Sequence, residues 1–387
     1  MIKKIVYLDN AATTPVHPKV FEKMIPFLKE NFGNPSSIHS FGRKVRVAIE
    51  DARETIANII NADPSEIYFT SGGTEANNFI INGISKANFN ETRRNKIITD
   101  NAEHHAVLDT IENLFHAGFE TEIIKVNKET KVESNTLRKS IDKKVSLISI
   151  MHVNNETGSI NNISELTKLF DDKDIYFHTD AVQSFGKIKI DVKELGINSL
   201  SASAHKINGP KGVGFAYVKS GTPISPLLFG GSQERNRRGG TENIAGIIGL
   251  SEAAKIKMES LDYSFQYVEK LKKRMIDGIK NLDSENIFIN GGNDSLPYIL
   301  SLTLNSEKYN NDAESIIMFL DINGIAASSG SACTSGTIKA SHVIKASGYS
   351  EKDAAGTVRF SFSTENTEEE IDYTLEILSN LLKKFQK

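Results

Sequence analysis

The chain has 387 residues, 39% apolar and 25% charged, which is the make-up of a globular protein with room for two domains and a large buried core. A net charge of −3 argues against a dedicated nucleic-acid or membrane surface, and a single cysteine excludes an internal disulfide or a cysteine-rich metal cluster built from this chain alone. The opening residues carry too short an apolar run for a signal peptide, and no stretch approaches the ~18 apolar residues of a membrane helix, so a cytoplasmic protein is expected.

In chain order, strands are predicted over residues 66–70, 96–99, 145–152, 175–179, 199–203 and 213–218, most of them rich in β-branched or aromatic side chains. Helical stretches lie between several of them, for example after Thr74 and over residues 164–170. Such alternation predicts an α/β domain with a mainly parallel sheet, whose functional residues gather on loops at the carboxyl ends of strands. A long helix follows, with Phe265, Val268, Leu271, Met275 and Ile279 at spacings of three and four. New strands are predicted over 298–304 and 357–362, the first preceded by Pro297. The terminal helix opens on the capping-box pair Thr367 and Glu370 and carries the apolar stripe Ile371, Leu375, Leu378 and Leu382. The expected division is a large domain over residues 15–259 and a smaller α/β domain made of residues 1–14 and 260–387.

Lys206 sits just after a strand in Ser203-Ala204-His205-Lys206-Ile207-Asn208-Gly209-Pro210. A lone lysine is ordinarily a solvated surface residue. Here small polar neighbours suit a phosphate and the Gly-Pro turn fixes the backbone, so Lys206 is a candidate for a Schiff base with an aldehyde cofactor. Asp180 ends the preceding strand. It is either a turn or helix cap, or a carboxylate that keeps a pyridine nitrogen protonated so that the ring accepts electrons. Gln183 and Asn155 are candidates to hydrogen-bond the ring's phenolic oxygen. The run Thr70-Ser71-Gly72-Gly73-Thr74-Glu75 is a strand–loop–helix junction suited to an anion, though a Gly-Gly turn before a helix is common and the run is neither the dinucleotide nor the Walker pattern. His104, beside His105, is read as an imidazole stacked on the cofactor ring rather than a metal ligand, because no Cys/His/carboxylate set accompanies the pair.

Cys333 lies in Ser328-Ser329-Gly330-Ser331-Ala332-Cys333-Thr334-Ser335-Gly336. A core cysteine belongs in an apolar periodic run; serines and glycines instead mark an accessible loop. Its thiol would need an activating neighbour to attack at neutral pH. Arg359, interrupting a β-rich run, is either an edge residue or the fork that grips a substrate carboxylate.

Taken together, these residues resemble the cysteine desulfurases of the class-V aminotransferase superfamily, in the form with a short cysteine loop. The resemblance spans nearly the whole chain. It includes Leu8-Asp9-Asn10-Ala11-Ala12, residues 70–78, Glu103-His104, Val153-Asn154-Asn155-Glu156-Thr157-Gly158, residues 180–183, residues 203–212, Arg237-Arg238-Gly239-Gly240-Thr241, residues 328–335 and residues 359–363. It implies a pyridoxal 5′-phosphate (PLP) enzyme of fold type I that converts L-cysteine to L-alanine. Lys206 would carry the cofactor and move the α-proton, Asp180 would pair with the ring nitrogen, and His104 would stack on the ring. Asn155 and Gln183 would serve the phenolate side, while Gly73, Thr74, Ser203 and His205 would hold the phosphate. Thr241 would be contributed by the partner subunit of a homodimer, and Arg359 with Asn155 would bind the substrate carboxylate. Cys333 would take the sulfur as a persulfide and pass it to an acceptor such as an iron–sulfur scaffold protein.

The chain departs from the family pattern at Thr337-Ile338-Lys339-Ala340, where a more acidic, proline-containing stretch is expected, and at Thr364, where arginine is more usual. Rival readings are selenocysteine lyase, transamination of a small amino acid, or a PLP-type fold serving as a binding subunit. The Cys333 loop speaks against transamination, and the intact set Lys206, Asp180 and His104 speaks against a purely structural role.

Overall fold

A computed structural model describes residues 5–329 and 340–387. Among these, the strands in chain order are β1 Val6–Tyr7, β2 Ile67–Thr70, β3 Lys96–Asp100, β4 Glu120–Ile124, β5 Val145–Ser149 and β6 Tyr176–Asp180. They continue with β7 Ser199–Ser203, β8 Gly214–Val218, β9 Ile287–Asn290, β10 Ile299–Leu304, β11 Ile325–Ala326 and β12 Thr357–Ser361.

Seven of them form one sheet in the order β2-β8-β7-β6-β5-β3-β4. The pairs β3–β4, β3–β5, β5–β6 and β6–β7 are parallel, while β8 runs antiparallel to both of its neighbours. Every residue of β3, β5, β7 and β8 is buried, as expected of strands covered on both faces. One covering helix, Gly73–Thr92, packs across β5 to β8; Ser40–Ile59 and Ile244–Glu259 pack on each other. The predicted α/β class with a mainly parallel sheet is thus observed.

A second sheet, β12-β10-β9, is antiparallel, with Arg359 opposite Ser301. Helices Leu261–Asp283 and Glu368–Phe385 pack together beside it, and the predicted capping box at Thr367 and Glu370 is formed. Its core joins Val268, Leu271, Met275 and Phe360 to Val6 and Leu8 from the start of the chain, where β1 pairs with β11.

Two predicted elements differ in extent. The regular strand expected over 145–152 ends at Ser149, although the N–H groups of Ile150 and His152 still donate to the carbonyls of His178 and Asp180; the turn follows at Asn154, whose side-chain oxygen accepts from the N–H groups of Glu156 and Thr157. The helix expected over 164–170 is one short α-turn, Ile163–Leu166, continued as a 3₁₀ turn to Leu169.

Candidate active site

Strands β2, β3, β5, β6 and β7 all end at the same edge of the sheet, and the loops leaving them surround a cleft of about 600 Å³. Ten predicted site residues line it: Gly73, Thr74, His104, Asn155, Asp180, Gln183, Ser203, His205, Lys206 and Arg359. Thr241 does not; it lines a separate pocket with Arg238 and Glu242. Cys333 lies outside the described residues, but Ser328 and His342, on either side of residues 330–339, both line the cleft.

Lys206 follows β7 in a single 3₁₀ turn, and its Nζ donates to the carbonyl oxygens of Ala11 (2.6 Å) and Ala12 (2.7 Å). Burial, aided by the positive charge of Arg359, lowers its ammonium to about 8, while Asp9 and Asp180 pull the other way. A fraction of the amine is therefore neutral near pH 7, as a lysine that attacks an aldehyde requires.

Asp180, the last residue of β6, accepts from Asn77 Nδ2 at 2.7 Å and from the Val182 N–H at 2.9 Å. Asn77 is itself fixed by Ser201, whose hydroxyl donates to its Oδ1 at 2.5 Å. A carboxylate held this way is set rigidly at the cleft floor. Gln183 donates to the Ala11 carbonyl (2.9 Å) and accepts from the buried Lys187 (2.8 Å), so its amide orientation is determined.

At the end of β2 the backbone of Gly72 takes φ 153° and ψ −175°, a conformation essentially reserved for glycine. A Cβ on Gly73 would stand 2.6 Å from Val182 Cγ2, so only glycine fits there too. The helix that starts at Gly73 has no side-chain cap, leaving its first N–H groups to face an anion. Ser203 and His205 stand across from this turn; His205 Nδ1 lies 3.2 Å from Thr13 Oγ1, and burial, then the nearby lysine charges, lowers its imidazole to about 4.

His104 caps helix His105–His116, its Nδ1 accepting from the Ala106 N–H at 3.0 Å. The ring opens onto solvent through the cleft, yet the surrounding walls desolvate it enough to lower its pKa below the ordinary value, outweighing the pull of Asp180. It is a neutral ring at pH 7 with its other nitrogen free to exchange protons.

Arg359, on β12, is 4% exposed. Its Nη2 meets Asp9 at 2.9 Å and its Nη1 donates to the Asn155 carbonyl at 2.9 Å, while its buried Nε has no partner among the described residues. The side-chain oxygen of Asn155 is likewise buried without a partner among the described residues, and an amide can rotate to offer its N–H₂ instead. Two orphaned polar groups of this kind are expected where an anionic ligand completes the site. Together with the glycine cradle, the uncapped helix and the shielded lysine, they fit PLP and an amino-acid carboxylate.

The sequence reading assigned no role to Asp9, Asn77, Ser201 or Lys187. Asn77 carried a signal: it lies four residues after Gly73, on the same face of a helix, where asparagine is a poor interior residue. Asp9 lies in the run Leu8-Asp9-Asn10-Ala11-Ala12 that carries the resemblance, but nothing local points to its partner, 350 residues away.

The chain matches the profile of the family Aminotransferase class-V over residues 6–374. It is 45% identical to the cysteine desulfurase IscS of Dictyoglomus turgidum, covering all of this chain and 96% of that one, and 42% identical to the cysteine desulfurase NifS of Azotobacter vinelandii, covering 95% and 90%. A solved NifS-like protein superposes with a TM-score of 0.90 at 37% identity over 99% of this chain and all of the other. A structure described as SspA in complex with cysteine gives 0.81 at 34% identity, covering 93% and 99%.

Proposed function

The chain belongs to the class-V aminotransferase family, and we propose that it is a PLP-dependent cysteine desulfurase, converting L-cysteine to L-alanine while Cys333 receives the sulfur as a persulfide. The observation that carries this reading is the cleft itself. It combines a lysine lowered to about 8, a fixed carboxylate and a buried arginine, and Ser328 and His342, on either side of the stretch 330–339 that holds the chain's one cysteine, line its wall.

Gly73, Thr74, Ser203 and His205 are assigned the phosphate, Asp180 the ring nitrogen, His104 the ring face, and Gln183 and Asn155 the phenolic oxygen. Bound there, PLP supplies an electron sink that labilises bonds at the substrate's α-carbon. Arg359, which lines the cleft, holds the substrate carboxylate, aided by the Asn155 amide. Lys206, once released from the cofactor, accepts and returns the α-proton. The Cys333 thiolate takes the substrate sulfur, forming an S–S bond as the C–S bond breaks; the carbon side gains a proton and leaves as alanine. The persulfide then passes to a sulfur acceptor, for which an iron–sulfur scaffold is the partner we favour. Free-thiol chemistry of this kind suits a reducing compartment, hence the cytoplasm.

In this reading residues 15–259 form the cofactor-binding domain, and residues 1–14 with 260–387 a smaller one that carries Cys333 and brings Arg359 to the cleft. Limited proteolysis with a first cut near residue 260 would accord with that division; full protection there would not. We further assign Thr241 to the neighbouring site of a homodimer. Phe21, Phe32, Ile38, Phe41 and Val47, all large, apolar and exposed within residues 21–47, provide a surface for such pairing.

The test is direct: with PLP, L-cysteine and a thiol reductant, the purified protein should release sulfide and alanine in equal amounts. Pyruvate in place of alanine, or no sulfide, would count against the reading.

A further inference from the structure

Beside the cleft, residues 232–241 form a loop with an unusual backbone. Glu234 (φ 44°, ψ 46°), Arg235 (φ 55°, ψ 44°) and Asn236 (φ 61°) are consecutive residues in the left-handed region, which side-chain-bearing residues disfavour. Such a turn persists only where its surroundings hold it. Glu234 supplies the hold: its buried carboxylate accepts from Arg53 Nη1 (2.8 Å), Arg53 Nη2 (2.9 Å) and the Phe69 N–H (2.9 Å). Arg53 Nη1 also donates to the Ile67 carbonyl at 2.7 Å, so the loop is locked to β2.

Four residues on, Arg238 makes a two-pronged pair with Glu75, Nε to Oε1 at 2.7 Å and Nη2 to Oε2 at 3.2 Å. Glu75 Oε2 also accepts from the Ser71 N–H at 3.0 Å. The loop therefore grips the chain on both sides of Thr70, immediately before the Gly72-Gly73 turn. Glu75 is the acidic residue in the first turn of helix Gly73–Thr92, beside the N–H groups assigned to the phosphate. Burial pushes its carboxyl up, but the bonds from Arg238 and Ser71 outweigh this and hold it below its ordinary value, so it is ionised at neutral pH. Left unpaired, that charge would repel a phosphate dianion.

We propose that Arg238 is a positioning residue for the cofactor phosphate: by pairing with Glu75 it cancels the negative charge in the first helical turn. This rests on the placement of the phosphate at Gly73 and Thr74. Arg238 does not touch the cofactor; it acts through Glu75.

The experiment is a spectroscopic titration of the apo-protein with PLP, with pyridoxal as the probe lacking phosphate. Arg238→Met should raise the PLP dissociation constant about tenfold, equivalent to ~1.4 kcal/mol. Glu75→Gln alone should change it less than about threefold. The double variant should return to within about threefold of the native protein, because removing the carboxylate removes the repulsion. Pyridoxal binding should stay within about twofold throughout. A double variant binding PLP no better than Arg238→Met overturns the proposal, as does Arg238→Met binding PLP as the native protein does. Should Arg238→Met fail to fold, Arg238→Gln keeps a hydrogen bond to Glu75 without the charge and should show the same weakening and rescue. Thr74→Val checks the phosphate placement separately. If it leaves PLP affinity unchanged, the placement falls and the proposal with it; if it weakens PLP binding while Arg238→Met does not, only the role of Arg238 falls.

Discussion

Replacing Arg359 with lysine keeps the positive charge and removes the fork. In the native site the guanidinium is held to Asp9 at 2.9 Å and to the Asn155 carbonyl at 2.9 Å, with its fork fixed at the wall of the cleft where the substrate carboxylate is assigned. A lysine ammonium is a single point at the end of a flexible stem, and pairing with Asp9 will dominate its position. The substrate carboxylate then loses at least one charge-assisted hydrogen bond, worth ~1.5–3 kcal/mol. Because the carboxylate is bound similarly throughout the reaction, the loss should appear in KM, about 10- to 150-fold, with kcat changed less than about threefold. The assay is steady-state alanine release over a range of L-cysteine concentrations. A KM within about twofold of the native value would refute the carboxylate role, and a fall confined to kcat would move Arg359 into the chemical step.

Lys206→Ala should abolish covalent capture of the cofactor: after incubation with PLP and borohydride, mass spectrometry should find no pyridoxyl group on the chain, and a label at full yield on another lysine would overturn the assignment. Cofactor capture by the native apo-protein requires the neutral amine, whose share grows about tenfold per pH unit below about 8 and then levels off. The capture rate should follow that curve, and a flat profile from pH 6 to 9 would contradict it. Sedimentation of the active protein should give the mass of a dimer, and Thr241→Ala should weaken PLP binding; an active monomer would exclude a site completed by the partner.

Much of the site was legible because its chemistry sits in short local runs. The glycine turn, the strand-end Asp180 and the lysine after β7 each announce themselves within about ten residues, and the carboxyl-edge rule for parallel sheets brings them together. Strands β3, β5, β6 and β8 were legible because they are buried on both faces and keep several β-branched or aromatic side chains in a short run. The edge strand β4, Glu-Thr-Glu-Ile-Ile, was not: half-exposed and carrying two glutamates, it lacks that pattern. The two-residue strands β1 and β11 escaped for want of length. Contacts between distant parts of the chain were equally hidden. Nothing local joins Asp9 to Arg359, the Ala11 carbonyl to Lys206, or Glu234 to Arg53; these follow from how the arm and the loop fold back. The bland alternative for Arg359, an edge residue, was half right, since β12 is an edge strand yet its side chain is buried against Asp9.

The central claim, that sulfur leaves L-cysteine through a thiol of this chain, is tested most directly by Cys333→Ser. Since the chain has one cysteine, no other thiol of its own can stand in. A serine hydroxyl is a poor nucleophile near neutral pH, whereas the cofactor, Lys206 and Arg359 are untouched by the change. Sulfide and alanine are measured for both proteins with L-cysteine and a reductant, alongside the PLP absorption spectrum. The account predicts that the variant keeps its PLP, shows the spectral change on adding L-cysteine, and releases less than about a hundredth of the native sulfide and alanine. Near-native release of both products by Cys333→Ser would contradict it.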